Sequence, residues 1–221
     1  MLINSDFSRR AVVAREQYQW IASPQLGVER VMLDRIGAEK ARATSIVRYA
    51  AGSSFPHHVH PGGEEILVLC GTFSEGDKHY PAGWYLRNPP GSSHQTASNE
   101  GATIFVKLWQ MSVEDTHRVR VDTRDPQRWQ REGDREICML FSSEDERVCL
   151  QRLLPGARLF GDSIDGAEVL VVDGEVIDGA ESYSRGSWIR LPGGSSSAIV
   201  AGSSGVTYYL KTGHLSAAVG A

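Results

Sequence analysis

His58 and His60 stand one residue apart, Glu64 follows after three intervening residues, and His94 lies downstream behind Pro89-Pro90-Gly91. Side chains of an extended strand alternate between faces, so His58 and His60 project to one side. Pro61-Gly62-Gly63 can turn the chain, which lets Glu64 return to that side from the next strand. His94 opens what reads as a further strand. Imidazole nitrogen and carboxylate oxygen are good donors for zinc, iron, manganese or nickel. Two His and one carboxylate on adjoining strands cover one face of an ion, and a third His makes four protein donors. His58, His60, Glu64 and His94 are therefore the candidate metal ligands. They are expected to hold one divalent ion per chain, with zinc placed first and iron, manganese and nickel as alternatives. No catalytic residue is assigned.

The neighbours of these residues read differently. His57 alternates to the face opposite His58 and is expected to meet solvent or the barrel exterior. Glu65 points away from Glu64 and reads as structural. A four-coordinate zinc shell would be closed, and so structural or responsive to ligands that displace a side chain. Six-coordinate iron or manganese would leave two positions for water, oxygen or substrate. Above the ion, Ile66, Val68 and Trp84 are expected to line an apolar pocket for a small organic ligand. His79, His117 and His214 fall outside any ligand pattern, and no Gly-rich phosphate loop or GxSxG motif occurs.

The elements that must position these groups read as strands. Glycine is frequent, helical periodicity is scarce, and short apolar runs are punctuated by Gly, Pro and Ser. Thr44–Tyr49, Glu65–Cys70, Gly83–Arg87 and Thr103–Leu108 are such runs. Glu136–Phe141, Val148–Leu153, Glu168–Val172, Ser187–Leu191 and Val206–Lys211 follow. The pattern predicts an all-β barrel or sandwich. A repeat organises it. EILVLCG at Glu65–Gly71 matches EVLVVDG at Glu168–Gly174, displaced by 168 − 65 = 103. GWYLRNPPGSSH at Gly83–His94 matches GSWIRLPGGSSS at Gly186–Ser197 with the same displacement, 186 − 83 = 103. Gly52 and Arg48 match Gly156 and Arg152 one residue later. Two copies of one β-unit are expected, residues 1–122 and 123–221. The charged stretch Ser112–Arg135 reads as a linker, partly strand around Val119 and Val121.

The second copy is an internal control. At the 103 offset His58, His60, Glu64 and His94 become Gly161, Ser163, Ala167 and Ser197, and one residue of slip brings in only Asp162 and Ile164. The donors vanish while the strand and turn residues stay, so the four groups serve an ion rather than the barrel. The second copy is expected to be structural and without metal. Trp84 and Trp188 sit at similar places in the two copies and read as core or barrel-lining residues.

Gly52–Gly71 resembles the first motif of the cupin superfamily: Gly, five residues, His-x-His, three or four residues, Glu, six residues, Gly. The second motif is matched by Gly83, Pro89, Gly91 and His94. Its closing Asn is not, because position 98 is Ser and Asn99 comes one residue late. The resemblance implies two tandem jelly-roll barrels, a bicupin. Phe55-Pro56-His57-His58, His60-Pro61-Gly62-Gly63-Glu64-Glu65 and Leu86–His94 resemble the cupin-like domain of ChrR-type anti-sigma factors, across most of 27–110. Arg35, Glu39 and Arg48 belong to that likeness. The resemblance implies a metal-binding sensory or regulatory protein, as in a stress response. In such factors a His/Cys zinc domain precedes the barrel and grips an extracytoplasmic-function sigma factor. The forty or so residues before this barrel hold neither Cys nor His, so the sensor-like half is expected without the sigma-binding half. The same barrels include iron dioxygenases that cleave small diketones or aromatic ketones. A non-catalytic ligand-binding bicupin is the third alternative.

Composition sets the outer limits. The chain has 221 residues and a formal net charge of −4, which disfavours a nucleic-acid surface. No stretch approaches a membrane span, and the first ten residues do not read as a secretory signal. Cys70, Cys138 and Cys149 are too few and scattered for a disulfide framework, and each reads as a buried thiol in an apolar run. These features point to the cytoplasm. The expected partners are a small-molecule ligand near the metal and a second copy of the chain in a homodimer, with a sigma factor as the weaker expectation.

Overall fold

The computed structural model describes residues 1–38, 40–161, 164–195 and 197–215. Glu39, Asp162 and Ser163, which entered the sequence reading, lie outside the described residues. Strands and turns make up the described chain apart from two short 3-10 segments, Arg15–Gln17 and Pro126–Arg128. Among the described residues no helix is long and apolar enough to cross a membrane.

Two compact units form. The first comprises Met1–Ser5 and Gln19–Arg124; the second comprises Asp6–Tyr18 and the described chain from Asp125 on. The division therefore falls after Arg124 instead of Asp122, and Asp6–Tyr18 leaves the first half altogether. The reason is a strand pairing: Ala11–Val13 lies antiparallel to Trp188–Arg190. Val119–Asp122, inside the expected linker, pairs with Trp84–Asn88 and completes the first unit.

Each unit is an antiparallel jelly-roll sheet, and the two follow one plan. In the first the strand order is Leu2–Ile3, Val28–Gly37, Ala41–Tyr49, Ala102–Leu108, Glu64–Glu75, Ser92–Ser98, Ser53–His60. In the second it is Trp129–Glu132, Arg135–Ser142, Arg147–Leu153, Val200–Thr212, Ile164–Asp178, Trp188–Ser195, Ala11–Val13. The predicted runs all lie on these strands or on Trp84–Asn88, apart from Gly83 and Ser187, which sit just before theirs.

Register repeats the pairing of the two copies, at an offset of 103 for Glu65 and Arg87 and 104 for Lys107. Glu65 stands opposite both Lys107 and Arg87, while Glu168 stands opposite both Lys211 and Arg190. All six are buried. Buried charges persist only when paired and hydrogen-bonded. Arg87 meets Asp115 at 2.6 Å and Glu65 at 3.5 Å, and Lys211 meets Glu146 at 2.7 Å. Glu168 accepts from the Trp188 indole at 2.7 Å and lies 3.1 Å from His214. The structural role read for Glu65 is thus visible in a cross-strand row.

A β-bulge recurs as well. Thr103 and Ile104 pair with Cys70 and Val68, leaving Leu69 as the extra residue. Thr207 and Tyr208 pair with Asp173 and Val171, leaving Val172, which is Leu69 displaced by 103. Two residues past each bulge sits a glycine at positive φ, Gly71 (68°) and Gly174 (75°). A Cβ on either would fall 1.9 Å and 2.4 Å from the carbonyl oxygens of Gly101 and Gly205. An extra residue reverses which side chains face inward. Before the bulge Ile66 and Val68 enter the first core, and after it Phe73 does. Cys70 is exposed, which corrects the reading of it as a buried thiol; Cys138 and Cys149 are buried as read.

The interiors differ. Ile66, Val68, Leu86, Ile104 and Val106 pack one part of the first barrel. The second is filled by a larger apolar cluster that includes Ile137, Phe160, Ala167, Val169, Leu191, Ile199 and Tyr208.

Candidate metal centre

His58 and His60 lie on Ser53–His60, a strand at the end of the sheet path that, among the described residues, pairs only with Ser92–Ser98. That edge position tolerates Pro56, which has no N–H to give a second neighbour. Across the pair His94 stands directly opposite His58, and Ser92 opposite His60. Register shifts between His94 and Thr96, placing an extra residue around Pro56-His57 and bringing Phe55 beside His58 with ring centroids 5.2 Å apart. His57 is exposed, in line with its reading as a solvent-facing residue. Glu64 opens the next strand after the turn at Pro61-Gly62-Gly63.

The structure brings His58, His60 and His94 into one possible ligand group, and Glu64 into a second with Glu75 and His94. The three imidazole centroids form a triangle with sides of 4.7, 4.7 and 4.8 Å. His60 Nε2 and His94 Nε2 are 2.8 Å apart, and Glu64 Oε2 lies 3.5 Å from the first and 3.4 Å from the second. Donors bound to one ion at roughly 2.0–2.2 Å are separated by distances of this size. Two buried ring nitrogens facing each other need a cation or a proton between them. The donor set thus fits a metal ion.

A second layer holds the rings. His58 Nδ1 lies 2.8 Å from the Pro56 carbonyl, and His94 Nδ1 lies 2.7 Å from Glu75 Oε1. A proton on each Nδ1 donates to those acceptors and leaves the Nε2 lone pair pointing at the centre. Glu75 also accepts from Arg120 at 2.7 Å and from the Asn88 amide at 3.2 Å. Asn88 donates to Glu64 Oε2 at 3.1 Å, and Arg120 donates to Asn88 Oδ1 at 2.7 Å. Glu75, Asn88 and Arg120 were not among the sequence-predicted residues.

Electrostatics suits this arrangement. Burial, with His94 and His58 adding to it, pushes the His60 imidazole down to about 3. Burial also lowers His58, opposed by its bond to Pro56. Burial pushes the Glu64 carboxyl up to about 7 against the pull of His94 and Asn88. For Glu75 burial acts upward too, but the His94 hydrogen bond and Arg120 outweigh it and hold the group well below the usual carboxylate range. His60 and Glu64 are therefore not an ordinary ion pair. Neutral imidazoles are the form that binds metal, and a cation would stabilise the Glu64 carboxylate.

A cavity of about 430 Å³ opens beside the cluster. His58, His60 and Glu64 form its polar end, with Val28, Val47, Tyr49, Phe55, Ile104, Val106, Leu108 and Trp109 as apolar walls and Ser23, Arg30 and Lys40 among the rest. The lining expected from sequence is corrected here. Ile66 and Val68 are buried in the core cluster, Trp84 packs against it, and none of the three is among the lining residues. Trp109 has a left-handed backbone, φ 59°, and its ring lies over Gly62, where a Cβ would come within 2.5 Å. A non-glycine residue held there costs about 1–3 kcal/mol and persists only where packing enforces it.

In the second unit the equivalents of Glu64 and Asn88 at the 103 offset are Ala167 and Leu191, both buried in the apolar cluster. Ser197 replaces His94 and its hydroxyl accepts from the Ile199 backbone at 3.3 Å.

Residues 8–112 match the ChrR cupin-like domain family. No curated protein matches the sequence significantly. Among solved structures, a candidate dioxygenase from Nostoc punctiforme PCC 73102 superposes with a TM-score of 0.69 at 14% identity, covering 95% of this chain and 81% of that one. A bacterial pirin from Escherichia coli in complex with nickel(II) gives 0.61 at 12% identity, covering 92% and 98%. Oxalate decarboxylase of Bacillus subtilis, a protein with Mn(II) centres, gives 0.61 at 11% identity, covering 92% and 77%. At these identities the likeness is one of fold.

Proposed function

We propose, on the premise that the chain is a cupin-superfamily protein resembling the ChrR cupin-like domain, that its first barrel holds one divalent metal ion through His58, His60, Glu64 and His94 and works as a ligand-responsive regulatory module. The observation that carries this is the imidazole triangle, with sides of 4.7–4.8 Å and two of its three rings tied through Nδ1 to fixed acceptors. A bound ion supplies a Lewis-acidic centre that a ligand oxygen or nitrogen can reach. The chain's own residues do the rest. Pro56 and Glu75 fix the tautomers, Asn88 steadies Glu64, and the apolar wall keeps bulk water from the inner end of the cavity. Zinc is the ion we place first, and the cytoplasm is the compartment. The second barrel, with Ala167 and Leu191 where Glu64 and Asn88 stand in the first, serves as scaffold.

Elemental analysis of the protein purified from its native host tests this, with His58→Ala and His94→Ala alongside. We expect close to one equivalent of metal in the wild type and a sharp loss in both folded variants. Unchanged stoichiometry in both variants overturns the assignment.

A second reading is an iron-dependent dioxygenase acting on a small diketone or aromatic ketone. The cavity favours it, since three of the four donors border a space large enough for such a molecule. Oxygen uptake by the iron-loaded protein with candidate diketones separates the readings. A sigma factor remains the partner expected of the stricter ChrR-like role, and co-purification is its test.

A further inference from the structure

We infer that the cavity beside the metal centre takes a small organic monocarboxylate with an apolar or aromatic body, and that Arg30 is the residue that reads its charge. The inference deepens the proposed function and rests on it only in treating His58, His60 and Glu64 as the polar end of that cavity.

Arg30 lies on Val28–Gly37 two residues from Val28, so both project from the same face, and both line the cavity. Its Nε is buried and has no hydrogen-bond partner among the described residues. Other guanidinium groups of this unit are met by carboxylates. Arg87 reaches Asp115 at 2.6 Å, Arg120 reaches Glu75 at 2.7 Å, and Arg48 reaches Glu29 at 2.6 Å. An unmet donor is costly, and Arg30 lines the cavity, where a ligand acceptor can meet the part of its side chain that the cavity reaches.

The charge around the space agrees. Arg30 and Lys40 are cationic, and among the described lining residues the only carboxylate is Glu64, which belongs to the metal cluster. Planar carboxylate is the small anion that a guanidinium fork matches with paired hydrogen bonds. The remaining surface sets the body of the ligand. Tyr49, Phe55 and Trp109 give aromatic walls, and the volume of about 430 Å³ is that of a small-molecule site. An inorganic anion would leave those walls facing water.

Phenylacetate, its neutral isostere phenylacetamide and inorganic phosphate are the probes. Each is titrated into the full chain loaded with zinc and into the metal-free chain, by calorimetry and by tryptophan fluorescence, with zinc content measured independently. We expect saturable phenylacetate binding about 10- to 100-fold tighter than phenylacetamide binding. Arg30→Met should erase that preference while phenylacetamide affinity, zinc content and circular dichroism stay as in the wild type. Arg30→Lys should retain part of it. Equal binding of acid and amide, an unchanged preference in Arg30→Met, phosphate competing as well as phenylacetate, or no saturable binding of any probe overturns the inference. Loss of the metal reading shows separately, as absent zinc in a chain whose preference for the acid is still measurable.

Discussion

Replacing Glu75 by Gln should weaken metal binding about 10- to 100-fold without unfolding the protein. Glu75 is not one of the four candidate ligands; it accepts the Nδ1 proton of His94 at 2.7 Å and is itself held by Arg120 at 2.7 Å. A short bond to a charged acceptor is roughly twice as strong as a neutral one. Outer partners of metal-bound imidazole typically contribute a factor of about 10–100 in affinity, or about 1.4–2.7 kcal/mol. Glutamine keeps the shape and one acceptor oxygen but loses the charge, and its amide must face either His94 or Arg120 with a donor. The assay is zinc competition against a chromophoric chelator, with stoichiometry from elemental analysis. Glu65→Gln is the control, because Glu65 faces Arg87 on the other side of the strand. It should lower stability and leave zinc affinity alone. A Glu75→Gln protein that binds zinc within twofold of wild type would refute the reasoning, as would a Glu65→Gln protein that loses affinity to the same degree.

Gly71→Ala should cost about 3 kcal/mol or more in urea unfolding, because the new Cβ meets the Gly101 carbonyl at 1.9 Å and the backbone is left-handed. Gly52→Ala has a similar φ of 74° with nothing within 4 Å and should cost only about 1–2 kcal/mol; equal losses would show that the close approach is unimportant. Ala167→Glu restores a carboxyl at the position of Glu64 in the second barrel, where Leu191 stands in place of Asn88. It should destabilise by about 3 kcal/mol or more and bind no additional zinc; a second equivalent of metal would contradict the scaffold role. Adding zinc to the metal-free protein should slow amide exchange along Ser53–His60 and Ser92–Ser98 and leave Arg147–Leu153 unchanged, and uniform slowing would place the ion elsewhere.

Much of the architecture was legible because it was written twice. A constant offset of 103 links Glu65 to Glu168 and Arg87 to Arg190, and the registers show these as matching cross-strand rows. Alternation placed His57 and Glu65 off the site and His58 and His60 on it, since no bulge interrupts His58–His60 or Glu64–Glu65. What stayed hidden has one physical source, the extra residue that inverts alternation. Glu64 and Glu75 are an odd eleven positions apart, so strict alternation sends Glu75 outward. The bulge at Leu69 turns it back toward His94, and it also leaves Cys70 exposed in what looks like an unbroken apolar run. The pocket lining was misjudged on different grounds. Ile66, Val68 and Trp84 flank the motif in sequence, whereas the walls come from Val28–Gly37, Ala41–Tyr49 and Ala102–Leu108, which approach the site only through the sheet order. Asp6–Tyr18 escaped because Ala11–Val13 finds its partner at Trp188–Arg190, far downstream in the chain.

The bulge also bears on how the two barrels came to differ. Val172 preserves it in the second copy, so the inward set there is again residues 167, 169, 171 and then 176, and the geometry that would carry a Glu75-like group past a glycine is intact. Asp178 stands at that position, yet it pairs with Arg10 at 2.5 Å instead of with a ring nitrogen. A barrel that keeps its charged row, its bulge and its left-handed glycine while Ala167 and Leu191 close its interior shows which residues the fold requires. The imidazoles, Glu64 and Asn88 are outside that set. Their convergence in the first barrel, beside a cavity, is then a feature that folding alone does not demand, whereas the second barrel packs Phe160, Ile199 and Tyr208 into one apolar cluster.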